Sequence, residues 1–298
     1  MQRMLTRRTL LSMTAASLAG RALGTRNLSG QVLGDSGQAS SRFSVMIWTL
    51  NKLGTFDENL ERVAQAGYQH VELVGEFKKW SEEDYRRILA RMQALKITVD
   101  ATSGVNPGFA DPSGEDAFLS ALKGIIPAAQ RLQCQQIILL SGRRMEGAAP
   151  GIQRAAAIES LKRAADVISS AGLVAVIEPI DRLESRTIYL DGVAEAFEIA
   201  RAVGSPNIRV LYDIYHEQRE FGNLIEKFEG NIGQIGLIHI ADVPGRHEPG
   251  TGEIDYLNIY RKLAELKYKG KIAMEFYPTG DIVGTLRHAR EQAQGLLS

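Results

Sequence analysis

From Phe43 onward, short apolar runs alternate with longer stretches whose apolar positions recur at helical spacing. Eight runs read as strands: "FSVMIWTL" (43–50), "HVELV" (70–74), "ITVDAT" (97–102), "QIILL" (136–140), "VAVIEPI" (174–180), "IRVLYDI" (208–214), "IGLIHIAD" (235–242) and "KIAMEFY" (271–277). The stretches between them start and stop as helices do. Ser81 and Asp84 form a capping box ahead of "YRRILARMQAL", and 115–132 and 152–171 are long enough to cross back over a sheet. Gly67, Gly172 and Gly204 follow helical runs, where a left-handed C-terminal cap favours glycine. Eight strand-then-helix units predict an α/β fold, a (β/α)8 TIM barrel forming a single domain over 43–298. The alternative is an open doubly wound sheet, but no G-x-G-x-x-G follows the first strand.

The first 42 residues break this pattern. In "TRRTLLSMTAASLAGRALG" the adjacent Arg7 and Arg8 precede a modest run of Leu, Met, Ala and Ser, then small residues. That order predicts a twin-arginine-type signal peptide over 1–24 and an exported protein, periplasmic or extracellular. The run falls short of the roughly 20 apolar residues of a membrane span. The Gly- and Ser-rich stretch 25–42 reads as a flexible linker. Composition removes some partners: 35 basic residues balance 35 acidic ones, so neither nucleic acid nor an anionic membrane surface is expected. Cys134 is the single cysteine, which excludes an intrachain disulfide framework and a thiolate metal cluster. Oligomeric state stays open, a homo-oligomer included.

In a barrel, reactive groups sit at the carboxyl ends of strands. Side chains alternate with period two, so the fifth strand puts Val174, Val176 and Glu178 on one face. The sixth aligns Leu211 with Asp213, the seventh Ile235 and Leu237 with His239, and the eighth Ala273 with Glu275. Four consecutive strands thus run from apolar interior positions into Glu, Asp, His and Glu. Burying lone carboxylates there is costly without a compensating partner, and a divalent metal is the simplest one. Three carboxylates and an imidazole suit Mg²⁺ or Mn²⁺, with Zn²⁺ and Co²⁺ also compatible. Ion pairs with basic groups at the barrel mouth are the structural alternative. His216, three residues after Asp213, reaches a substrate oxygen from the rim or caps the next helix. Arg246 offers a planar fork for a substrate carboxylate or pairs with Glu248 or Glu253. Glu72, near the end of the second strand, contacts substrate or holds another polar residue. Trp48 is a pocket wall or a core aromatic. Glu253 and Asp255 are the candidate anchors for the return of the loop after the seventh strand.

The segments "LVAVIEPID", "LYDIYH", "IADVPGRHEPGTGEIDY" and "MEFYP" resemble the hydroxypyruvate isomerase family of the xylose isomerase-like TIM barrels, a likeness that extends from Phe43 to the C-terminus. The resemblance implies that Glu178 and Glu275 are the catalytic acid/base pair. It also implies metal ligation by Glu178, Asp213, His239 and Glu275, and substrate orientation by Arg246. The implied activity is a metal-dependent aldose–ketose type isomerisation of hydroxypyruvate to 2-hydroxy-3-oxopropanoate through a cis-enediolate. A ketose 3-epimerase or a keto-glycoside-processing enzyme would use the same site. In a different class, a noncatalytic carbohydrate-binding protein would keep the pocket without turnover. Each reading takes a small-molecule sugar or hydroxy-keto acid as partner.

Overall fold

The computed structural model describes residues 42–149 and 151–297; the expected signal peptide and nearly all of the linker lie outside these residues. Eight parallel strands close into a barrel in chain order: β1 (Phe43–Met46), β2 (His70–Leu73), β3 (Thr98–Thr102), β4 (Gln136–Leu140), β5 (Val174–Glu178), β6 (Ile208–Asp213), β7 (Ile235–Ile240) and β8 (Lys271–Met274). β8 closes on β1 with Phe43 opposite Ile272 and Val45 opposite Met274.

The outer helices are α1 (Phe56–Gln65), α2 (Glu82–Leu95), α3 (Glu115–Arg131), α4 (Ile152–Ser170), α5 (Val193–Val203), α6 (Ile214–Glu220), α7 (Leu224–Glu229), α8 (Tyr256–Glu265) and α9 (Ile282–Leu297). Ser81 and Asp84 cap α2 reciprocally, as their spacing predicts. Thr55 and Glu58 make a second capping box on α1. Gly204 ends α5 at φ +72°, and Gly67 and Gly172 turn the chain after α1 and α4 at +87° and +71°. None of the described helices is long and apolar enough to cross a membrane.

The core has two layers. One lies between sheet and helices and contains most of the buried side chains. The other fills the barrel: Met46, Ala101, Ile138, Val176, Leu211, Leu237 and Ala273, one from every strand except β2. β2 places Glu72 beside Met46 instead.

Several strands stop earlier than their apolar runs, always at the carboxyl end. The first run covers 43–50, yet after Met46 the chain turns into a 3-10 helix, Ile47–Leu50, closed by Thr49 Oγ1 donating to Met46 O at 2.9 Å. β5 ends before Pro179, which has no N–H for a ladder. β6 ends at Asp213 because its carboxylate accepts Tyr215 N–H at 2.8 Å and His216 N–H at 3.1 Å, starting α6. The apolar residues that continue past each strand line the barrel mouth or pack under the following loop. Their hydrophobicity is that of a strand, but their backbones leave the sheet.

Candidate active site

The four strand-end residues come together. Glu178 and Asp213 are the last residues of β5 and β6, His239 is the penultimate residue of β7, and Glu275 follows β8 directly, its N–H still bonded to Ile240 O at 3.0 Å. All four are buried, and each offers one ligand atom within 4.8 Å of those of the others. His239 Nδ1 lies 2.8 Å from Glu275 Oε2, 3.7 Å from Glu178 Oε1 and 4.0 Å from Asp213 Oδ2. Asp213 Oδ2 is buried without a hydrogen-bond partner. That unmatched acceptor, in a set of three carboxylates and one imidazole, fits a divalent cation.

The far side of the imidazole is also occupied. His239 Nε2 stands 2.9 Å from Glu72 Oε2, while Ser44 Oγ donates to Glu72 Oε1 at 3.2 Å. Glu72 is fully buried and is not among the residues lining the cavity; its carboxylate holds polar side chains, the second of the two roles its position suggested. It lies inside the barrel, on the Nε2 side of the imidazole. A carboxylate on the nitrogen opposite the ligand position is the usual support of a metal-binding histidine.

The charges of the cluster are uneven. Burial drives the Glu178 carboxyl well above the usual carboxylate range; His239 opposes the rise, and Glu275 and Asp213 add to it. Burial acts on Glu275 in the same sense, but Arg246 and His239 outweigh it and hold that carboxyl well below the usual range. Burial disfavours the His239 imidazolium, yet Glu72 and Glu275 overcome this and raise it well above the ordinary histidine value.

Arg246 reaches the site from the loop after β7. Its Nη2 lies 2.9 Å from Glu275 Oε2 and 3.8 Å from Asp213 Oδ2. The guanidinium carbon lies 5.5 Å from the Trp48 ring centroid and 4.9 Å from that of Tyr215. Glu248 instead binds Thr279, and Glu253 bonds Gln218, so neither expected partner takes Arg246. His216 is buried, with Nδ1 2.6 Å from Asp181 Oδ2 and Nε2 3.5 Å from Asp213 Oδ2.

Above the cluster is a cavity of about 180 Å³, lined by Trp48, Glu178, Glu184, His216, Arg246 and Glu275 among others. Arg246 is the sole lysine or arginine lining it among the described residues. Two contributors, Glu184 and Asp181, were not anticipated. Glu184 sits at the mouth, 3.7 Å from Arg246 Nη1. Asp181 orients His216, and its Oδ1 accepts the N–H groups of Leu183 and Glu184, both at 2.9 Å. Trp48, left between wall and core, lines the cavity and donates Nε1–H to Glu275 Oε1 at 3.1 Å. The "EPID" of "LVAVIEPID" holds Asp181 in plain view, but its partners become evident only in three dimensions.

Comparison with known proteins agrees with this architecture. The profile of the xylose isomerase-like TIM barrel family matches residues 60–296. The chain belongs to the xylose isomerase-like TIM barrel family. Among its relatives, the hydroxypyruvate isomerase of Escherichia coli K12 is 29% identical over 80% of this chain and 93% of its own length. The 2-oxo-tetronate isomerase of Haemophilus influenzae is 27% identical over 76% and 90%. The crystal structure of a family 2 AP endonuclease from Brucella melitensis superposes with a TM-score of 0.75 at 25% identity, covering 83% of this chain and 96% of that one. This xylose isomerase-like barrel is an isomerase, and its strand-end cluster lies where the fold builds its active sites.

Proposed function

We propose that this isomerase interconverts hydroxypyruvate and 2-hydroxy-3-oxopropanoate. The observation that carries the reading is the pairing of Glu178 and Glu275, two buried carboxyls of opposite electrostatic character, in one cluster beneath a small cavity whose lining includes a single guanidinium. The reaction removes a proton from C3 of hydroxypyruvate and returns one to C2, while a hydroxyl proton moves from O3 to O2. One carboxylate takes the carbon-bound proton, and a carboxyl across the cluster supplies the proton to the neighbouring carbon. Glu178, Asp213, His239 and Glu275 would hold a divalent cation, Mg²⁺ or Mn²⁺, which would supply positive charge beside the substrate oxygens. Arg246 pairs with the substrate carboxylate, and its stacking between Trp48 and Tyr215 keeps the fork in place. His216 presents Nε2 to a substrate oxygen, because Asp181 holds Nδ1. A cavity of about 180 Å³ suits a substrate of three or four carbons; drug-sized pockets start at roughly 300 Å³.

A second reading draws on Glu184. With Glu178 and Glu275 it makes the cavity lining richer in acids than in bases, which favours an uncharged polyhydroxy substrate and hence a ketose 3-epimerase. Proton exchange separates the two. Incubated with Mn²⁺ in D₂O, the wild-type protein is expected to place deuterium on C2 and C3 of the hydroxypyruvate pair, read by NMR. Glu178→Gln and Glu275→Gln are each expected to lower turnover by about 10²- to 10⁴-fold with the circular dichroism unchanged. Hydroxypyruvate left untouched while a ketose exchanges at C3 would replace the first reading with the second.

A further inference from the structure

Asp242 lies three residues beyond His239, is fully buried and does not line the cavity. Its carboxylate accepts four backbone N–H groups from a single loop. Oδ1 takes Val243 at 2.9 Å and Ile254 at 3.1 Å; Oδ2 takes Gly250 and Gly252, both at 2.9 Å. Its own backbone binds the same loop, donating to His247 O at 2.8 Å and accepting from Arg246 N–H at 3.1 Å. Four donors converging on two oxygens match an ionised carboxylate and no neutral side chain of that size.

Within this frame Arg246 stands at φ +57°, in the left-handed region that a residue with a Cβ occupies when its surroundings hold it there. Its carbonyl accepts Tyr277 N–H at 2.8 Å, so the strained residue is pinned on both sides. The frame leaves no slack at Gly252 either, where a Cβ would collide with Val243 O and with Asp242 Oδ1.

The geometry points to Asp242 as a positioning residue for Arg246. The carboxylate sets the path of 243–254, that path sets the backbone of Arg246, and the guanidinium then falls between Trp48 and Tyr215 with Nη2 2.9 Å from Glu275. The inference rests on the reading of Arg246 as the group that orients substrate. It implies that the polar loop after β7 is built around an internal anion before it serves any substrate.

The test is a pair of substitutions, Asp242→Asn and Gly252→Ala, each made alone and with Arg246→Gln. Asp242→Asn turns an acceptor into a donor facing N–H groups; Gly252→Ala displaces the same frame and leaves every charged side chain intact. Each alone is expected to reduce kcat/KM for hydroxypyruvate by about 10- to 100-fold, the size of an ångström-scale misplacement of an orienting group. In the Arg246→Gln background each is expected to cause little further loss, since the group being placed is gone. Hydrogen–deuterium exchange should quicken in 243–254 and stay unchanged in the strands. Equal losses in both backgrounds, or faster exchange throughout the barrel, would reduce Asp242 to a general structural role. If the wild type turns over neither hydroxypyruvate nor a ketose, the functional reading fails separately. Emission from Trp48, measured with Trp80→Phe, then decides the inference: a shift in Asp242→Asn supports it, and unchanged emission over a loosened loop overturns it.

Discussion

A carboxylate inside a barrel needs an opposing charge, because leaving one buried and unpaired costs several kcal/mol. Glu72 occupies the place where the other seven strands contribute the apolar filling, and its negative charge faces His239 Nε2 at 2.9 Å. Glu72→Gln keeps the volume and removes that charge. Its expected effect is a loss of about 10- to 100-fold in Mn²⁺ affinity, measured by calorimetry on metal-free protein. Ser44→Ala removes only the 3.2 Å bond on the other oxygen and is expected to change affinity far less. Unaltered binding by Glu72→Gln would leave the carboxylate without a part in holding the imidazole. These residues also show what a sequence discloses. Glu178, Asp213, His239 and Glu275 stand out because period-two alternation carries apolar residues up to each of them. Glu72 has the same alternation, but its partner is 167 positions away and nothing local selects between substrate and side chain. Asp181, Glu184 and Asp242 act from loops, where no period exists and a carboxylate is as readily a surface charge as a hub for backbone N–H groups.

The two ends of the strands serve opposite purposes. At the carboxyl ends the ladders stop early, releasing backbone to form loops around the site. At the amino ends, polar groups meet as a brace: Lys271 Nζ lies 3.0 Å from Asp100 Oδ1, and His70 Nδ1 lies 3.2 Å from the same oxygen. Burial nonetheless dominates there and pushes the Asp100 carboxyl from its ordinary 3.8 up to about 7, against the opposing pull of Lys271. The folded chain therefore keeps this proton to a higher pH than the unfolded chain does. The resulting contribution is lost as pH rises from about 4 to about 7. Asp100→Asn lacks that proton, so its stability relative to wild type should climb across this window and level off above it. Urea unfolding of both proteins at several pH values measures the difference; a gap that stays constant from pH 4 to 8 would contradict it. None of this brace was legible beforehand, since "ITVDAT" reads as a strand whichever way Asp100 points. Strand existence was legible from the apolar runs. Strand ends were not, because Pro179, the Asp213 cap and the turn after Met46 end the ladder without ending the hydrophobicity.

At the scale of the molecule, eight repeats of one unit made the barrel readable from periodicity alone, each repeat supporting the others. A cation bound by the native cluster and not by the unfolded chain stabilises the whole domain. At a concentration of one hundred times its Kd, that linkage amounts to about 2.7 kcal/mol. For a domain of this size the expected rise in Tm is roughly 5–10 °C. Differential scanning calorimetry with and without Mn²⁺ checks it, and Asp213→Asn should shrink the rise. Every residue of the cluster comes from β5 to β8, yet Glu275 receives Trp48 Nε1–H from the turn after β1, across the β8–β1 seam. The first and last strands must therefore meet before this carboxylate is fully dressed. A chain synthesised up to residue 270 has three of the four residues proposed to hold the cation and an open seam; the fourth arrives only with the strand that seals the cylinder. Tight cation capture would thus act as a signal of completed folding, separating finished molecules from nearly finished ones in a way that helix content does not.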